Sequence, residues 1–213
     1  MHNARFRRRL LHHILIGIAT VALVLLFMKL FPKRDFISRI SIGNAYPALF
    51  LTVAALALGP WNVLRRKPNP VSFDLRRDLG IWAAIAALTH TAFGLNVHLR
   101  GRMWLYFLDA HHRLRQDAFG FGNYTGAVAA LIFALLLALS NDLSLRKLGP
   151  LRWKFLQQWA YAAAGLTAAH TVLYQHVEKR IGPFRILAYS VLTILLLLQI
   201  AGAFRMRKRL PED

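Results

Sequence analysis

Six apolar runs separated by short basic clusters constrain this chain more than any other feature. A helix needs about 20 mostly apolar residues to cross roughly 30 Å of hydrocarbon. The runs at 10–31, 44–64, 79–99, 124–140, 153–174 and 184–204 answer that description. They predict an all-α, polytopic integral membrane protein of six transmembrane helices, the middle four forming a bundle. Pro32, Pro68, Pro70, Pro150 and Pro183 fall between runs, where a missing N–H costs nothing. Pro47 is expected in the first turn of the second helix and Pro60 in its last.

The charge balance fits a membrane chain better than a nucleic-acid binder. The 213 residues carry 28 Lys and Arg against 9 Asp and Glu, a formal charge of +19, yet 56% are hydrophobic. The cations cluster between apolar runs, as membrane proteins mark their loops. Sixteen lie before the first run, between the second and third, between the fourth and fifth, and after the sixth; ten lie on the other side. The larger set belongs in the cytoplasm, so both termini are expected inside a bacterial inner membrane. Arg5, Arg7, Arg8 and Arg9 precede the first run, but that run is longer than a signal peptide core and no A-x-A-like site follows it. It is expected to be a retained helix.

Cysteine is absent, which excludes thiolate catalysis, iron–sulfur clusters and Cys-ligated zinc or heme. No dinucleotide or Walker fingerprint occurs, and the Gly-rich residues 120–126 are expected to be a loop before the fourth helix. A redox metal would have to be held by the other ligand types, so the nine histidines draw attention.

Ionisable groups inside a bilayer are costly and mark functional sites. His90 and His170 each lie within an apolar run, on different helices and beside small residues. At 1.5 Å per residue they sit roughly 17 and 25 Å from the inner starts of their helices, in the outer half. Two readings stay open on this spacing: each imidazole hydrogen-bonds a neighbouring helix, or the two flank one heme, with Ala86, Ala87, Ala162–Ala164, Gly165, Ala168 and Ala169 leaving room for it. Small residues also simply favour close helix packing. His12 and His13 are expected at the inner interface. His98 and His176, at the outer ends of the same two helices, are expected to be exposed, with contact to a cofactor or substrate the competing role. His111 and His112 lie with Asp109 in an outer loop, expected to be solvated rather than metal-binding.

Two stretches carry a family resemblance. Residues 75–90, LRRDLGIWAAIAALTH, resemble the third helix of ferric-reductase-like transmembrane proteins, and most closely the heme-binding membrane subunit of bacterial protein-methionine-sulfoxide reductase. Its L-R-R-x-L-G turn, with a heme-ligating His ten residues after the Gly, matches Gly80 and His90. Residues 140–170 are similar to the same family's loop and fifth helix, through Leu148, Gly149, Trp153, Leu156, Tyr161 and His170. The family's first fifth-helix His is Gln157 here. A Gln amide is a poor iron ligand beside imidazole, so the resemblance implies a single heme b held by His90 and His170 as axial ligands of its iron.

The resemblance also implies an organisation and a role. Residues 1–39 would be a basic segment and first helix, 40–205 the heme-binding domain, and 206–213 a basic tail. The role would be an electron-transfer subunit of an oxidoreductase complex, with no catalytic residue of its own. Its donor would be the quinone pool or a separate flavin reductase, with FMN or a quinone as a second cofactor. Its acceptor would be a periplasmic reductase subunit or a ferric substrate at the basic outer surface of Arg100, Arg102, Arg113 and Arg115. The alternatives are a ferric or metal reductase component, or a non-redox scaffold or transporter.

Overall fold

A computed structural model describes residues 2–67, 73–99, 102–179 and 182–207. Pro68, Pro70, Arg100 and the tail beyond 207 lie outside the described residues. Seven α-helices account for most of the described residues: α1 (His2–Leu30), α2 (Phe36–Leu64), α3 (Phe73–Gly94), α4 (Ala118–Leu139), α5 (Asp142–Gln157), α6 (Trp159–Val177) and α7 (Gly182–Arg207). Among the described residues no strand forms, and one isolated bridge pairs Leu108 with Leu114.

Four helices, α1, α2, α4 and α7, are long and apolar enough to cross a membrane. Both α3 and α6 fall short of that criterion. The cause is visible in their sequences: α3 opens with Asp74, Arg76, Arg77 and Asp78, and α6 ends in Gln175 and His176. At 1.5 Å per residue they are still about 33 and 28 Å long.

Helices α2, α3, α4 and α6 close a ring in which each packs on two neighbours. Across that ring, α3 and α6 bring no pair of Cα atoms within 8 Å, so they stand diagonally opposite. Outside the ring α1 lies against α2 and α3, while α7 lies chiefly on α2. Phe27 of α1 stacks on Tyr46 of α2 at 4.6 Å between ring centroids, and Phe184 and Ala188 of α7 join the same apolar cluster. Gly17 gives α1 the notch that receives Trp82 of α3; a Cβ there would lie 2.6 Å from the indole.

Several element boundaries differ from the sequence expectation. Asp35 caps α2 by accepting from the Ser38 amide, so α2 starts at Phe36, eight residues before the apolar run. Pro47 therefore lies mid-helix, not in the first turn. The Gly-rich residues 120–126 form the opening turns of α4 instead of a loop, capped by Asp117 accepting from the Gly120 amide. The third helix ends at Gly94, and Leu95–Leu99 turn away from it. The fifth run is divided: Trp153–Gln157 belong to α5, and the long helix starts afresh at Trp159. Within α5 the chain breaks at Gly149, whose φ of 74° favours glycine, and Pro150 opens the next turn.

Candidate functional site

The ring of four helices surrounds a cleft that is partly open to its surroundings. Ala45, Ala48, Ala87, Gly126 and Ala130 line it beside larger side chains such as Leu49 and Phe133; of the small residues expected to leave room for a cofactor, Ala87 is at the cleft, whereas Ala86, Ala162–Ala164, Gly165, Ala168 and Ala169 are not. His90 and His170 reach into it from opposite sides, their ring centroids 5.9 Å apart and their planes crossed at 72°. The two backbones are too far apart to touch, so side chains bridge the interior.

Each imidazole is oriented by a carbonyl from the neighbouring helix. His90 Nδ1 lies 2.9 Å from the Ser41 carbonyl oxygen, and His170 Nδ1 lies 2.8 Å from that of Gly122. A carbonyl can only accept, so Nδ1 is the protonated nitrogen in both bonds, and in the neutral imidazole Nε2 then keeps its lone pair; the Ser41 hydroxyl also lies 3.1 Å from His90 Nδ1. That tautomer is the one a metal-binding histidine adopts when an outer partner fixes its ring. The Ser41 hydroxyl also reaches the His90 carbonyl, at 3.3 Å.

Glycine makes the second anchor possible. A Cβ on Gly126 would fall 2.6 Å from His170 Nδ1, and one on Gly122 would meet the Tyr174 ring at 3.0 Å. Residues four apart on α6, His170 and Tyr174, thus seat in notches four apart on α4. Tyr174 then donates to Asn123 Oδ1 at 2.6 Å, and Asn123 donates to the carbonyl of Tyr106. Tyr106, only 1% exposed, donates to the Gly94 carbonyl and receives the His98 amide.

These residues fit a bis-imidazole metal centre. Metal–nitrogen bonds of about 2 Å put the centres of two opposed imidazoles roughly 6 Å apart, close to the separation seen here. A porphyrin supplies four nitrogens itself, so a heme needs only two protein ligands. Among the described residues no group of three or more His, Asp or Glu side chains could hold a bare metal ion.

The other histidines are spread over both ends of the bundle. His98 lies in the turn after α3, where Nε2 is 2.9 Å from Glu178; Arg34 reaches the same carboxylate at 3.0 Å. This trio borders the cleft on the side of the 103–117 segment. His176 is exposed at the end of α6. His112 stacks on Trp104, and Asp109 spends an oxygen on the backbone amides of His111 and Arg113. The Arg113 amide, followed by that of His111, holds the Asp109 carboxyl below its usual range. Arg115, part of the expected basic surface, is neutralised by Asp117.

His12 and His13 converge at the opposite end on Asp78, at 3.1 and 3.3 Å, with Arg9 at 2.7 Å. Asp78 has no exposed side-chain surface. It escaped the sequence reading because it sits beside Arg76 and Arg77, which mark a basic loop. Gln157 ends α5 and does not line the cleft. Ser41, Gly122 and Gly126 were not legible as site residues, since backbone carbonyls and notches carry no signature of their own. Comparison with protein-family models, curated proteins and solved structures finds no match to this chain.

Proposed function

We propose that this protein is a membrane electron carrier holding one heme b between His90 and His170. The observation that carries this reading is the pair of crossed imidazoles 5.9 Å apart, each with Nδ1 committed to a carbonyl of the adjacent helix. The likeness of residues 75–90 and 140–170 to ferric-reductase-like membrane proteins, and to the heme subunit of methionine-sulfoxide reductase in particular, supports it. In this reading α3 and α6 also cross the bilayer, giving six spans in a bacterial inner membrane with both termini cytoplasmic.

Bound in the cleft, heme b would supply one-electron chemistry at its iron. The chain's own residues hold it. The Ser41 and Gly122 carbonyls fix the imidazole planes and strengthen both rings as donors. The alanine and glycine positions among the cleft walls would give a flat ligand room between the two imidazoles. No nicotinamide or flavin domain is folded from the described residues, so electrons would come from a quinol or a separate flavin reductase. They would leave to a periplasmic reductase subunit or a ferric chelate.

One heme per chain is the expected stoichiometry. A second, inner heme would need two more strong ligands, and His12 and His13 are already committed to Asp78. Pyridine-hemochrome titration of purified protein should give about one heme per chain. His90→Ala or His170→Ala should abolish it, while Gln157→Ala and His98→Ala should keep it. A colourless preparation from heme-replete cells would sink the proposal, and two hemes per chain would overturn the stoichiometry.

A further inference from the structure

Helix α5 has a face that the bundle does not use. Trp153 is its one buried residue, and its indole donates to the Leu139 carbonyl at 2.9 Å, pinning the helix to the end of α4. Positions two residues away on a helix turn about 200° from it, so Leu151 and Phe155 point the other way. They are 85% and 65% exposed. Trp159, just beyond, continues the row at 53%.

Arg152 and Lys154 flank this row, one on either side of Trp153, and Arg146 and Lys147 precede it, before the break at Gly149. Arg146, Lys147, Arg152 and Lys154 are all exposed, and none pairs with a carboxylate among the described residues. Of the other cations at this end, Arg5 and Arg8 pair with Asp74, Arg9 with Asp78 and Arg77 with Asp142, while Arg7, Arg65, Arg66, Lys67 and Arg207 are exposed like those of α5. The same Arg77–Asp142 bond places α5 beside the start of α3, at the bundle end that carries the N-terminus.

We infer that α5 is an interfacial helix that binds anionic phospholipid, its apolar row in the acyl boundary and its four unpaired cations on the headgroup phosphates. Helices with one apolar and one basic face lie in that plane, and each basic residue near an anionic surface adds to the attraction. The charge balance of the chain argues against a second copy as the occupant. Of its nine acidic residues, Asp35, Asp74, Asp78, Asp109, Asp117, Asp142 and Glu178 are engaged internally, leaving only Glu212 and Asp213 of the tail. No acidic face among the described residues complements the cations. The inference needs only the membrane location and is independent of the heme reading.

The test uses the full-length protein in nanodiscs of phosphatidylcholine containing about one-fifth phosphatidylglycerol. The protein is re-extracted in mild detergent, and retained lipid is quantified by mass spectrometry. Wild type should retain phosphatidylglycerol enriched about threefold or more over the bulk ratio, less so at high salt, where exposed charges are screened. The variant R146Q/K147Q/R152Q/K154Q should lose most of that enrichment with an unchanged melting temperature. The variant R102Q/R113Q, at the other end, should keep the enrichment. Wild type without enrichment, or a quadruple variant that retains it, overturns the inference. So does a detergent-stable dimer lost on Leu151→Ser with no lipid preference, which would give the face to a second copy. Should the quadruple variant not fold, the salt dependence of the wild-type enrichment decides alone, and enrichment indifferent to salt counts against the inference.

Discussion

Replacing Gly126 by alanine tests whether His170 is seated as described. The new Cβ would lie 2.6 Å from Nδ1 and 2.9 Å from Cε1 of the imidazole, whereas ordinary contact begins near 3.4 Å. The ring must retreat by roughly 1 Å, and the 2.8 Å bond to the Gly122 carbonyl cannot survive that. Overpacking costs about 1–3 kcal/mol, and the lost hydrogen bond adds about 0.5–1.5 kcal/mol. Against this, Gly→Ala within a helix contributes about 1 kcal/mol of stability. The balance is a destabilisation of about 1–3 kcal/mol. Gly165→Ala on α6 is the matched control, because nothing lies within 4 Å of its Cβ position. It should be neutral or stabilising by up to about 1 kcal/mol. Denaturant titration of the detergent-solubilised variants, read by tryptophan fluorescence, compares the two directly. If Gly126→Ala proves as stable as Gly165→Ala, the imidazole does not rest on α4 and the anchored tautomer is wrong.

Four further outcomes are expected. Asp78→Asn removes a fully buried carboxylate from Arg9, His12 and His13; it should cost about 3–5 kcal/mol in the same titration, with part restored by adding Arg9→Gln. Arg5, then Arg8, hold the Asp74 carboxyl down to about 2; its contribution is complete above the unfolded value of about 3.9 and lost as pH falls toward 2. Both arginines are well exposed, so melting temperature should drop only slightly between about pH 5 and 3, and Asp74→Asn should remove that part of the drop. Trp153→Phe forfeits the bond to the Leu139 carbonyl and should destabilise by about 0.5–1.5 kcal/mol. Reporter fusions at His112 and Arg207 should report opposite compartments, and a shared compartment would refute the six-span topology.

What the sequence made legible follows from where each signal resides. Helices α1 and α7 could be read because continuous apolar runs leave few alternatives. Helix α2 began earlier than its apolar run because its start is decided by a capping side chain, Asp35, and not by hydropathy. Glycines at 120, 122 and 126 look like a loop in isolation. They open a helix instead, and the missing side chains at 122 and 126 make room for Tyr174 and His170, a tertiary cause that no local propensity records, while Gly120 clears Arg115. Counting 100° per residue along one helix sets Gln157 and His170 about 220° apart. That phase does not apply, since the chain passes from α5 to α6 between them. The histidine pair itself was legible from chemistry, since imidazoles within apolar runs are costly. Its carbonyl partners were not, and Asp78 was hidden among neighbouring arginines.

The clasp at Asp78 has a consequence for how the chain is assembled. Arg9 and its carboxylate are 69 residues apart in sequence, so α1 leaves the ribosome before Asp78 does. On the proposed topology the leading arginines would be uncompensated during that interval, which would resist their passage across the membrane and hold the N-terminus on the side of synthesis. Arrival of α3 then cancels part of that charge and closes the clasp. On that topology the first helix would be oriented by its cations while alone and locked by one of them, Arg9, once its neighbour arrives. A chain lacking Asp78 should insert the first helix correctly yet fail to retain it against the bundle, separating two steps that the finished structure shows only as one contact.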